Sequence, residues 1–118
     1  MTLIRIGVLG VLGVLGAGCA SRQELPANYV PTQAAIAAAD AVGARNQPRA
    51  ALHLKMAKDQ LTRAQSYSRE GDEHEASLML DRARTDAEVA LMVTREHQAR
   101  TEAEQAKREL DGLSRTTP

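Results

Sequence analysis

The stretch AKDQLTRAQSYSREGDEHEASLMLDRARTDA, residues 57–87, decides the fold of this chain. Ala57, Leu61, Ala64 and Ser68 step by four and three, which puts them on one face of a helix. Gly71 then supplies a residue that readily takes the left-handed backbone at which helices end. Asp72 is placed to cap the next helix, and Glu75 three positions on completes a capping box. Past this turn Ala76, Leu80, Ala83, Ala87, Ala90 and Thr94 repeat the same step. Upstream, Ala50 and Leu54 extend the first face. Folding the chain at Gly71 and Asp72 sets Ala64 opposite Leu80, Leu61 opposite Ala83, Ala57 opposite Ala87 and Leu54 opposite Ala90. A large side chain then usually meets a small one, as interdigitated packing requires. The fold class is therefore all-α, built on an antiparallel, coiled-coil-like helical hairpin.

Outward from the hairpin, the second helix runs back from Glu70 to Pro48, which disfavours helical geometry at Gln47. A first helix is predicted over 32–45, with Pro31 suited to its opening turn. The third helix is predicted over 73–113, with no proline or glycine before Gly112. The pairs Asp59–Arg63, Glu96–Arg100 and Glu104–Arg108 have the favourable acid-before-base spacing. Two arrangements of the first helix are open. It extends the rod, with Ala41 facing Ala103, Ala38 facing Ala106, Ala34 facing Leu110 and Pro31 facing Leu113, or it folds back to make a three-helix bundle. Continuity of register across Pro48 favours the rod. The domain is thus expected over 31–113, with a disordered tail over 114–118.

The beginning of the chain reads differently. Arg5 precedes the apolar run Ile6–Ala17, which is shorter than the roughly 20 residues a membrane span needs. Gly7, Gly10, Gly13 and Gly16 interrupt it, so an export signal over residues 1–18 is the expected reading. The segment Leu15-Gly16-Ala17-Gly18-Cys19 resembles the lipobox of bacterial lipoproteins, with Gly16 where that pattern usually has leucine. The resemblance implies that Cys19 is acylated and becomes the first residue after cleavage. Ala20 and Ser21 follow it without an aspartate retention signal, which by the same resemblance implies the periplasmic face of the outer membrane. The alternative is an ordinary secreted chain cut after Ala20. Residues 19–30, with Pro26 in their midst, read as the acylated cysteine and an extended tether.

Composition narrows the function classes. Fifteen basic and fifteen acidic residues cancel, so no electrostatic field favours nucleic acid. Tyr29 and Tyr67 are the sole aromatic residues, and much of the apolar content is alanine. Burying a leucine contributes about 1.5–3 kcal/mol and an alanine much less. So small a domain is marginal alone, and self-association or an envelope protein partner is expected. A single cysteine excludes a disulfide framework.

The order Ala57-x-x-x-Leu61-x-x-Ala64, Gly71-Asp72, Ala76, Ala83, Asp86-Ala87-Glu88, preceded by Pro48, resembles the domain-of-unknown-function family four-three-nine-eight. The resemblance covers about residues 32–110. It implies an alanine-rich helical envelope protein and lends no catalytic residues. Some members carry an OmpA-like peptidoglycan-binding domain downstream, and direct peptidoglycan binding is not expected of this chain.

Candidate chemistry is sparse. His53 and His97 fall near the Pro48 level, but His74 sits at the distant turn and no helix concentrates metal ligands. Ser66, Ser68 and Ser77 lack a histidine–carboxylate partnership at readable spacing. No cofactor, metal or catalytic residue is expected. Tyr67, near the hairpin tip, is a candidate anchor for a partner but fits local packing over the turn better. The sequence thus points to a lipid-anchored, noncatalytic spacer or adaptor. The alternatives are a TPR-like binding module or an oligomeric coiled-coil lipoprotein of the cell wall.

Overall fold

A computed structural model describes residues 25–116; the export segment, Cys19 and the first part of the tether lie outside them. The described chain is all-α: α1 (Tyr29–Ala41), a short 3₁₀ turn (Ala44–Asn46), α2 (Pro48–Glu70) and α3 (Glu73–Thr116). The helices form a three-helix bundle from which the distal half of α3 projects.

The hairpin between α2 and α3 is closed by backbone. Gly71 sits at φ +83°, where an L side chain would be strained. Its N–H donates to the Ser68 carbonyl at 3.2 Å and the Asp72 N–H donates to the Tyr67 carbonyl at 2.9 Å, the paired bonds of a Schellman motif. The Asp72 carbonyl then accepts from the Ala76 N–H at 3.0 Å to start α3. Among the described residues neither the Asp72 nor the Glu75 carboxylate makes the side-chain bonds of a capping box. The backbone has already satisfied the turn, and both side chains stay at the solvent edge.

The rod is overturned. α1 does not extend α2; it folds back beside α3. Its start lies near the hairpin tip, where the Asn28 amide donates to the Ser77 carbonyl at 3.0 Å and to the Asp81 carboxylate at 2.8 Å. Its end lies at the far level, where the Gln98 amide donates to the Val42 carbonyl at 3.1 Å. Thus α1 runs parallel to α3 and antiparallel to α2. The cause is Gly43, also at φ +83°, followed by the 3₁₀ turn. Gln47 is then extended and its side chain accepts from the Ala50 N–H at 2.7 Å, so Pro48 opens α2 as its first residue.

Refolding α1 changes its buried face. Thr32, Ile36 and Ala39 are buried, whereas Ala34, Ala38 and Ala41, expected to meet α3, are exposed. Their intended partners Ala103, Ala106, Leu110 and Leu113 are exposed as well. The boundaries also move. α1 begins at Tyr29 rather than Thr32, because proline in a first turn forfeits an N–H that no helix would have satisfied. It ends at Ala41, short of Arg45, since the chain reverses at Gly43. α3 continues to Thr116, so residues 114–116 are helical rather than part of a disordered tail.

Gly43→Ala is expected to destabilise the bundle by about 1–2 kcal/mol, the cost of a left-handed L residue. A Cβ there would also approach the Asn46 amide nitrogen at 3.4 Å. Urea titration would check it; an unchanged midpoint would mean that the reversal does not depend on this glycine.

Candidate functional site

The packing seam positions everything else. Ala50, Leu54, Ala57 and Ala64 of α2 are buried, as are Ala76, Leu80, Ala83, Ala87 and Ala90 of α3. Leu61 is half-buried and packs against the same core. Ile36, Ala39 and Ala44 join Ala50, Leu54, Ala57, Ala87 and Ala90 in one apolar cluster. Alanine recurs because it lets helix backbones come close, and the few large residues fill what remains. At the turn, Gly71 and Asp72 are exposed and Glu75 is half-buried.

Polar side chains tie the helices together around this seam. The Thr32 hydroxyl, fully buried, is shared between the Asn28 and Leu80 carbonyls at 2.7 and 3.2 Å. The Tyr29 hydroxyl accepts from the Gln65 amide at 2.7 Å, linking α1 to α2. Across the α2–α3 groove, one Asp86 oxygen meets His53 Nδ1 at 2.8 Å and the other accepts from Gln60 Nε2 at 2.9 Å. His53 and Gln60 straddle Ala57, and Asp86 adjoins Ala87, so this contact follows the expected register. Sequence reasoning considered His53 only beside His97 and missed Asp86. The signal was the pairing of Ala57 with Ala87. His97 stays exposed at the end of the bundle, and His74 is exposed near the tip.

Asp40 locks the reversal of α1. Its carboxylate accepts from Lys58 at 2.6 Å and from Arg45 at 2.7 Å, joining the end of α1 to α2 and the connecting turn. The Lys58 hydrogen bond, then the Arg45 one, hold its carboxyl below the usual carboxylate range. A depressed folded-state pKa gives stability that is present above the unfolded value and lost as pH falls through the folded one. Asp40→Asn should therefore lower the melting temperature at neutral pH and lose that difference from the parent at strongly acidic pH. Melting curves across pH 2–7, on the order of the carboxylate range, would test this. A constant difference would place the effect outside ionisation.

On the surface, the acid–base pairs follow the spacing with one exception. Arg100 meets Glu96, and Arg108 lies 3.8 Å from Glu104. Asp59 instead takes Lys55 at 2.6 Å, one turn behind it, and leaves the expected Arg63 pair unmade. Among the described residues no group of three potential ligands could hold a metal ion. No described helix is long and apolar enough to cross a membrane. One surface hollow of about 140 Å³, lined by Gln47, Arg49, Val93, Glu96, His97 and Arg100, marks where α3 leaves the bundle. Its charged walls lack the enclosed apolar lining of a small-molecule pocket. Ser66 donates to Glu70 at 3.0 Å and Ser77 accepts from Asn28, contacts that hold local structure.

The projecting part of α3 is the remaining candidate surface. Every described side chain from Arg95 to Arg115 is exposed. At 1.5 Å per residue this segment reaches roughly 30 Å. Thr94 is the last buried residue, and continuing its seam would bring up His97, Thr101, Glu104 and Arg108, all polar. The apolar row has moved two positions along, to Ala99, Ala103, Ala106 and Leu110, on the opposite side of the helix.

Comparison with known proteins bears on this architecture as a whole. No curated protein and no solved structure matches the chain. Residues 27–106 match the family described as Domain of unknown function (DUF4398), a span that takes in α1, α2 and α3 up to Ala106 in the projecting segment. With more than half of its length matched, the chain belongs to that family.

Proposed function

We propose that this chain is a noncatalytic envelope lipoprotein, held by acyl chains on Cys19 at the periplasmic face of the outer membrane, that serves as a spacer or adaptor. The observation that carries the spacer reading is the division of labour along α3. Its first half is spent on a compact bundle, and its second half offers about 30 Å of solvated helix. Such a shape holds surfaces apart or presents one to a partner, and the polar contacts within it are accounted for by packing. The anchor rests on the lipobox-like Leu15-Gly16-Ala17-Gly18-Cys19. Labelled fatty acid should appear on the parent and be absent from Cys19→Ser; equal labelling of both would remove the anchor.

A TPR-like module is less well supported, because the described residues hold one hairpin of that kind, α2–Gly71-Asp72–α3, where such repeats need about three for stability. An oligomeric coiled-coil lipoprotein shares the exposed apolar row of α3 and stands as the second reading.

A further inference from the structure

From the projecting helix we infer that its outer row is a docking surface for a second copy of the same chain, paired parallel and in register. Starting at Met92, which is 69% exposed within the bundle region, the row runs through Glu96, Ala99, Ala103 and Ala106 to Leu110, itself 66% exposed. These positions alternate by four and three, the spacing of a two-stranded coiled-coil seam. The row lies on the side of α3 facing away from α2, so pairing there leaves the bundle intact.

The flanking charges choose the occupant and its direction. Taking Ala103 and Leu110 as positions a, Ala99 and Ala106 fall at d, Glu102 and Glu109 at g, and Arg100 and Lys107 at e. In a parallel pair each g residue meets the e residue five positions on in the other helix. Glu102 of each copy therefore meets Lys107 of the other, twice by symmetry. Glu109 meets the neutral Ser114. Two levels are unfavourable, Arg95 against Arg100 and, at position a, Glu96 against Glu96 of the other copy; both are moderated because Glu96 and Arg100 are already paired within their own helix. An antiparallel pair centred near Ala106 would pack large against small, as the hairpin does. With Leu110 set on Ala106 it would also bring Lys107 against Lys107 and Glu109 against Glu109, both repulsive. The complementary Glu102–Lys107 level exists in the parallel direction alone, and that favours a parallel homodimeric seam.

The alanine layers make this a weak pair in dilute solution. Confining both copies to one surface would raise their effective concentration and favour it. The pairing concerns the α3 row and not the anchor, so the two readings fail separately. If acylation is lost while pairing persists at high protein concentration, only the anchor is overturned.

Cysteine crosslinking of the full chain in cells tests the proposal, with the parent, bearing only Cys19, setting the background. Under mild oxidation Ala103→Cys should form a disulfide-linked dimer with itself. Introducing Glu102→Lys alongside it should abolish that species, and adding Lys107→Glu as well should restore it. All three positions are exposed, so bundle melting serves as a folding control that should not change. Crosslinking only between Ala103→Cys and Leu113→Cys chains would show antiparallel pairing and overturn the proposal. So would the absence of any dimer above the parent background, or a dimer indifferent to the charge exchange.

Discussion

Ala87→Glu is expected to abolish the cooperative melting of the bundle. Ala87 and Ala57 are both fully buried at the level where α2 and α3 meet. A glutamate at either position must place its carboxylate between helices or push them apart. The effective penalty for an unpaired buried charge is several kcal/mol. Small domains hold only about 5–15 kcal/mol in total, and an alanine-rich core sits at the low end of that range. Nearby Asp86 adds a like charge, so protonation is the one inexpensive escape. Circular dichroism at low protein concentration should show loss of the sigmoidal transition for Ala87→Glu and Ala57→Glu. Ala103→Glu, on the projecting segment, should melt as the parent does. Equal melting of all three would mean that the seam is not where the fold is held.

Cys19→Ser is expected to have the second large effect, on where the chain resides rather than on whether it folds. A single fourteen-carbon acyl chain gives an association constant of only about 10⁴ M⁻¹, and stable attachment takes a second signal. A lipoprotein carrying several chains on one cysteine exceeds that threshold, so removing the thiol removes attachment altogether. Fractionation should move the variant out of the membrane pellet, with no fatty-acid label, while the helical spectrum of residues 25–116 persists. If the variant stays in the pellet as the parent does, the chain is held by something other than Cys19.

The hairpin was legible because its signals agree. Gly71 ends one helix, and the four-three spacing of Ala57, Leu61 and Ala64 is mirrored by Ala76, Leu80 and Ala83. The placement of α1 was less legible because alanine is uninformative about direction. In the run from Ala34 to Ala41, two interleaved faces are both apolar, and Ala34-Ala38-Ala41 fits a helical row as well as Thr32-Ile36-Ala39 does. Only the second contains a β-branched aliphatic large enough to decide the matter by burial. Gly43 carried the reversal, yet Pro48 is the louder break and drew the end of α1 four residues late, at Arg45 rather than Ala41. The polar contacts were mixed in the same way. Asp86 lay within reach of the inferred register, whereas the clamp of Asp40 by Lys58 depends on a fold-back that spacing alone favoured less than the rod.

The parallel run of α1 and α3 has a mechanical consequence. The chain enters the bundle beside the hairpin tip, where Asn28 is fastened to Ser77 and Asp81, and α3 leaves at the opposite end. Tension applied between those two ends loads the α1–α3 contact in shear, so its bonds must yield together rather than peel open one after another. A chain folded this way resists stretching along its axis better than a hairpin tugged from its two open strands.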